Sequence, residues 1–351
     1  MLNQIIENNR NMKIGLFTSV FFNNIGNGFI DLGAEATLKE AINGKDHEIV
    51  KLSQCANFAA SLGFAFMVKE NLFVRWLWEH TVQHFEKKIH DQTYNAISSL
   101  DVFSPAKIAL LDYLILPGCI LTDAFFTIYG KFLEEKKRQG CKFVFLGASG
   151  NYYTEKEVNI VSQWLAKLEP YAIMFRDSVA YNYYAKFTRN AYNGIDNVFF
   201  VNRLDMPKVK TSIDPYIVLN FDIPKHEPIK KRLVRELEGK YNIVYTDHKP
   251  YPYIKVSKLA KKNVMCSDYP LDYLFLYRNV VETHSDRVHA CIPTLSFGNK
   301  VQLYSDSPRI SLFENVGISL DEIKHHPISL DRDVLKSMQN KQIDFLRDIL
   351  V

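Results

Sequence analysis

Short apolar runs alternate along the chain with longer segments whose apolar residues recur at helical spacing. "KIGLFTSV", Lys13 to Val20, predicts a buried strand, and "GFIDLGAEATLKEAI" after it predicts a helix. "HEIVKLS", "YLILPG" and "KFVFLGASG" are further β-rich runs, each ending in small residues or glycine. Between the last two, "TDAFFTIYGKFLEEKKRQG" opens on two cap candidates, carries its positive charge late and stops at Gly140, as a helix should. Strands alternating with helices in this way imply a parallel sheet covered on both faces.

The pattern restarts after about residue 205. "RLDMPKVKTSIDP" holds two prolines and little periodicity, which marks a linker or domain-crossing loop. Beyond it, "YIVLNFDIP", "YNIVYTDHKP", "VVETHS" and "KVQLYSD" have the character of strands. "EPIKKRLVRELEGK", "PLDYLFLYRN", "DRVHACIPTLSFG" and the amphipathic "DRDVLKSMQNKQIDFLRDIL" have the character of helices. The expected fold is therefore α/β, with two Rossmann-like domains of mostly parallel sheet facing a cleft. The expected divisions are residues 12–205, residues 206–330, and a C-terminal helix over 331–351 that packs back on the first domain.

Composition narrows the choices. With 47% hydrophobic and 23% charged residues, the 351-residue chain has the balance of a soluble globular protein. A net charge of +4 over that length is nearly neutral and provides no basic stripe for nucleic acid. The clusters "EEKKRQG" and "LAKKN" fit solvated helix faces. Five cysteines lie outside any CxxC or metal-ligand spacing, which suits a reducing compartment. "MLNQIIENNRNMK" lacks the apolar core of a secretory leader, and the longest candidate span, "LSQCANFAASLGFAFMV", is diluted by polar residues. The expected location is cytoplasmic, with a peripheral place at the inner face of the cell membrane as an extension of it.

Sheets of this kind bind ligands beyond the carboxyl ends of their strands, so the strand-to-helix loops carry the candidate chemistry. In "ETHSDRVHA", Ser285 or Asp286 is positioned to cap a helix whose first turn holds Arg287 and His289. Positive side chains oppose the macrodipole there unless an anion binds between them. The alternative is structural, with Arg287 paired to Asp286 or Glu282 and His289 half buried. "FRDSVAYNYY" places Arg176 and Asp177 at another such turn, where a surface ion pair is the plain alternative. "NNIGNGFIDLGA" is glycine-rich but lacks the GxGxxG spacing. No GxxxxGK[ST], HExxH, EF-hand or GxSxG occurs, and His325–His326 fits a surface loop, so no metal site is expected. The aromatic segment "NLFVRWLWEHTVQHFEKKIH" suits a core stripe, or else a flap facing lipid or acceptor.

Taken together, these loops resemble the polysaccharide pyruvyl transferase family. The segment "VVETHSDRVHACIPTLSFGNKVQLYSDSPRISLFENVGI" is similar to its Arg-x-His signature, "FRDSVAYNY" to its Arg-Asp turn, and "NNIGNGFIDLGAEATL" to its N-terminal loop. Asn27 stands where that family often has Asp, and Cys119 interrupts the glycine-rich "LPGCILTD". The resemblance implies a GT-B-like fold and transfer of a pyruvyl group from phosphoenolpyruvate to sugar hydroxyls of a polysaccharide or lipid-linked saccharide, forming a ketal. Phosphoenolpyruvate is then the donor substrate and no further cofactor is expected. On this reading Arg287 binds the donor anion, His289 protonates its methylene carbon and Arg176 neutralises the departing phosphate. Asp31, Glu35 and Asp123 are the acids available to assist the sugar hydroxyl. Asn24, Gly26, Asn27, Gly118, Ser149, Asp177, Ser285 and Arg309 complete the expected substrate contacts, with Asp31 and Asp123. A GT-B glycosyltransferase using a nucleotide-sugar donor is the alternative, since a helix N-terminus beside Arg287 serves a diphosphate equally well.

Overall fold

The computed structural model describes residues 11–18, 24–53, 105–207, 209–248 and 263–350. The aromatic segment 71–90 and most of the apolar run 52–68 lie outside these residues, as does most of "LAKKN". Apolar runs become strands because both faces of each sheet are covered, which rewards β-branched and aromatic residues at every position.

The first half contains β1 (Met12–Thr18), α1 (Ile25–Ala41), β2 (His47–Ser53), α2 (Pro105–Ile108), β3 (Tyr113–Pro117) and α3 (Asp123–Arg138). It continues with β4 (Lys142–Ala148), α4 (Glu155–Leu168), β5 (Ala172–Phe175), α5 (Ser178–Tyr184) and β6 (Asn190–Asn193). The second half contains β7 (Tyr216–Asn220), α6 (Glu227–Leu237), β8 (Asn242–Thr246), β9 (Val264–Met265), α7 (Pro270–Asn279) and β10 (Glu282–Ser285). After it come α8 (Val288–Ser296), β11 (Lys300–Leu303), α9 (Leu320–His325) and α10 (Arg332–Ile349). Both sheets are parallel, ordered β2-β1-β3-β4-β5-β6 and β11-β10-β7-β8-β9. These are doubly wound, Rossmann-like orders. The direction of winding reverses between β1 and β3 in the first sheet and between β7 and β10 in the second.

The two halves share one apolar core. Its residues run from Ile14 and Leu16 through Phe29 and Leu38 of α1 to Val218, Tyr273 and Ile292 of the second half. Helix α1 is buried on most of its circumference, because it lies between the first sheet and the second half. A 3₁₀ segment, Asn197–Arg203, fills the remaining space with Val198, Phe199, Phe200 and Val201, all fully buried. Gly33 of α1 makes this fit possible, since a Cβ there would overlap the Asn197 carbonyl. Helix α10 closes the joint: Gln342 accepts from the Ile195 N–H at 2.8 Å, and Gln339 donates to the Phe199 carbonyl at 2.6 Å.

Two expectations are corrected. Lys136 of "EEKKRQG" is not on a solvated face. It is buried, and its ammonium donates to the Lys107 and Ala109 carbonyls at 3.0 and 2.6 Å, which satisfies a charge that burial alone would exclude. Nor does a loop run through "NNIGNG", because the helix already begins at Ile25. Among the described residues no helix is long and apolar enough to cross a membrane.

Gly33→Ala forces α1 away from the 3₁₀ segment. We expect it to destabilise the fold by about 1–3 kcal/mol, the usual range for overpacking. A lowered thermal midpoint with an unchanged far-UV spectrum checks this.

Candidate functional site

The carboxyl ends of both sheets point at the joint, and both winding reversals meet there. In the second sheet, Asn220 at the end of β7 accepts from the Ser285 hydroxyl at the end of β10 at 2.9 Å. The same hydroxyl accepts from the Arg287 N–H at 2.8 Å, which fixes the turn into α8. Arg287 is itself the residue before the helix, so neither Ser285 nor Asp286 is the N-cap. The Asp286 carboxylate points back instead, accepting from the Asp222 and Ile223 N–H groups and meeting His226 Nδ1 at 3.0 Å. Burial raises its pKa, with those donors opposing.

Arg287 pairs with neither Asp286 nor Glu282. Its Nε donates to Asp222 Oδ2 at 2.8 Å, while Glu282 accepts from His284. Asp222 is buried beneath it, and the Arg287 side chain remains 29% exposed, so its outer nitrogens can reach a ligand.

The first sheet contributes a buried charge. Arg176 and Asp177 do not form a surface ion pair. Arg176 follows β5, is 1% exposed, and donates to Asp196 Oδ2 at 2.7 Å. Asp196 in turn caps the 3₁₀ segment by accepting from the Val198 N–H at 2.8 Å. Burial opposes the Asp196 charge, but Arg176 and then His289 outweigh it, so its carboxyl lies well below the usual range. Asp177 caps α5 at Ala180 and accepts from the Tyr153 hydroxyl at 3.1 Å.

His289 joins the two halves. Its Nε2 is 3.6 Å from Asp196 Oδ2, and its ring lies against Gly26. A Cβ on Gly26 would stand 3.2 Å from the imidazole, so the glycine lets the first turns of α1 and α8 touch. The Ile25 N–H donates to the His248 carbonyl at 3.0 Å, bringing the start of α1 onto the end of β8. Two helix N-termini and Arg287 therefore converge, and Arg309 adds its charge from the segment after β11, bonded to Asn151 of the first half. Burial holds His289 below its ordinary pKa, against the pull of Asp196. Ser149 Oγ, Arg176 Nε and His289 Nε2 are buried polar atoms without a hydrogen-bond partner among the described residues.

Other expected residues scatter. Asn24 precedes α1 and bonds Asn27 in its first turn, while Asp31 lies buried one turn further on. Gly118 turns the chain after β3, its carbonyl accepting from the Ser149 N–H, and it packs against Ile30 of α1. Glu35 pairs with Lys39 and Lys51, and Asp123 begins α3 facing Lys156, so neither joins the group around His289. His325 ends α9 and pairs with Asp321 on the surface. Sequence reasoning missed Asp196, Asp222 and His248. Asp222 and His248 follow strand ends and obey the same rule that singled out Arg287; Asp196 follows the polar β6 and carries no such signal.

His248 is fully buried, bonded through Nε2 to the Tyr277 hydroxyl at 2.6 Å, and burial pushes its pKa down from 6.5 to about 3. Burial lowers the pKa of both His248 and His289 in the folded chain, whereas the unfolded chain protonates each near its ordinary value of about 6.5. The stability they contribute is thus complete above that pH and is lost as pH falls toward the folded values. We expect the thermal midpoint to drop as pH falls from about 7 to 5. His248→Asn should flatten that drop; an unchanged profile would exclude His248 as a contributor.

No protein-family model matches the sequence, and no curated protein matches it. The backbone is similar to that of S. aureus MnaA solved with UDP, at a TM-score of 0.52 and 10% identity over 96% of this chain and 91% of that one. A putative UDP-N-acetylglucosamine 2-epimerase from Listeria monocytogenes aligns over the same shares at a TM-score of 0.51 and 10% identity. Likeness at this identity is likeness of fold: the chain has a GT-B-like architecture of two Rossmann-like domains.

Proposed function

We propose that this chain is a GT-B-fold enzyme acting on a nucleotide sugar, with the diphosphate held where the first turns of α1 and α8 meet. The observation that carries this reading is that convergence, with Arg287 free on its outer side and Arg309 nearby. Helix N-termini and guanidinium groups at a winding reversal suit a diphosphate, and the S. aureus neighbour was solved with UDP. His289, its pKa lowered by burial, is placed to accept a proton from the sugar, and Asp196 stabilises the imidazolium that forms.

Pyruvyl transfer from phosphoenolpyruvate is the second reading, favoured by the grouping of Arg176 and His289 that the sequence resemblance implies. Two features weigh against its details. Arg176 is already neutralised by Asp196, so the role of balancing a departing phosphate passes to Arg309. A half-buried His289 whose pKa is lowered is also better suited to take a proton than to give one.

A thermal-shift series with UDP, UDP-sugars and phosphoenolpyruvate separates the two. A ligand at 100 times its Kd stabilises by about 2.7 kcal/mol. We expect UDP and a UDP-sugar to raise the midpoint, and Arg287→Ala to weaken that binding about tenfold or more, as loss of a charge-assisted contact does. Stabilisation by phosphoenolpyruvate alone would reverse the choice.

A further inference from the structure

At the other end of α8, about 13 Å along its axis by helical rise, a second site opens. A cleft of about 900 Å³ lies among the linker after the 3₁₀ segment, the carboxyl ends of α7 and α8 and the first turns of α10. Arg203, Lys210, Arg278, Arg332 and Lys336 line it, and Asp214 is the one acid among its lining residues. Arg203 is committed to Glu40 at 2.9 Å. Arg278 and Arg332 each direct one nitrogen at a backbone carbonyl, Met206 at 2.5 Å and Phe297 at 3.1 Å. Those two contacts explain the arginines in part, as cations closing a helix end and a linker.

They do not explain the lysines. Lys210 and Lys336 are exposed and face the same cleft from the linker and from α10. Among the described residues no carboxylate pairs with Lys210, Lys336, Arg278 or Arg332. Four like charges around one concavity repel one another, which is an unfavourable arrangement in the empty fold and a favourable one around an anion. The chain's net charge is only +4, so this concentration is local and not a reflection of a basic surface. The volume suits a small molecule.

We propose that this cleft is a second anion site, separate from the Arg287–His289 site, that takes a small molecule bearing a diphosphate or two phosphates. The guanidinium groups of Arg278 and Arg332 supply fork geometry and the two lysines supply point charges that can follow the ligand. Its walls come from the linker, α7, α8 and α10, so an occupant bridges the elements that join the two halves.

Isothermal titration with inorganic diphosphate tests this, using the full chain, Arg287→Ala, and the double variant Lys210→Ala/Lys336→Ala. Both lysines are exposed, so the double variant should fold; Lys336→Glu provides a second variant with the charge reversed. The expected result is a binding event that persists in Arg287→Ala and weakens about tenfold or more in the lysine variants. Binding lost in Arg287→Ala and unchanged in the lysine variants would assign the anion to the first site and overturn the proposal. So would an absence of binding, or an effect that sodium chloride of equal ionic strength reproduces, since that is diffuse screening.

Discussion

Arg176 and Asp196 are both sequestered from water, and neither charge could remain there without the other. Removing one partner of such a pair leaves an uncompensated buried charge, a larger loss than the pair's net contribution. The pair ties the end of β5 to the start of the Asn197–Arg203 segment, whose four apolar side chains fill the space between α1, α8 and α10. The same carboxylate faces His289 across the joint. One electrostatic constraint thus sets both the packing between the halves and the charge environment of the candidate site.

The joint is narrow because α1 is thin where it matters. Gly26 admits His289 and Gly33, two turns further along the same face, admits the 3₁₀ backbone, so α1 lies close to both. That closeness brings two winding reversals, one from each sheet, to a common opening. Negative charge at this opening is turned inward: Asp222 to Arg287, Asp196 to Arg176, and Asp286 to backbone donors. What remains facing outward is positive, from helix ends and from the outer nitrogens of Arg287.

Much of the architecture was legible because buried parallel strands announce themselves as apolar runs ending in small residues. β1, β3, β4, β7 and β8 are apolar runs of this kind, each ending in or followed by small or polar residues, while β10 was marked by the two valines that precede it. β6, "NAYN", is an edge strand of polar residues, and β9 spans two residues, so neither offers such a signal. α4 was overlooked although Thr154 and Glu157 mark its start, with the Thr154 hydroxyl accepting from the Glu157 N–H at 3.2 Å. Arg287 and His289 were legible from their place at a strand-to-helix turn. Their partners were not, because Asp222 and Asp196 meet them across 65 and 93 residues of sequence, and charge pairing over such distances leaves no local pattern. The buried state of Arg176 and Lys136 was hidden for the same reason: each is satisfied by groups remote in sequence.

Helix α10 carries Gln339 and Gln342 into the joint to satisfy backbone groups of residues 195–199, 140 and 147 positions earlier in the chain. During synthesis, then, the first half can assemble its sheet while the apolar side chains of the 3₁₀ segment still lack their covering. Contacts of such long sequence separation form late, and surface awaiting them is open to wrong association in the interval. Docking of this one helix is therefore the step that completes the joint.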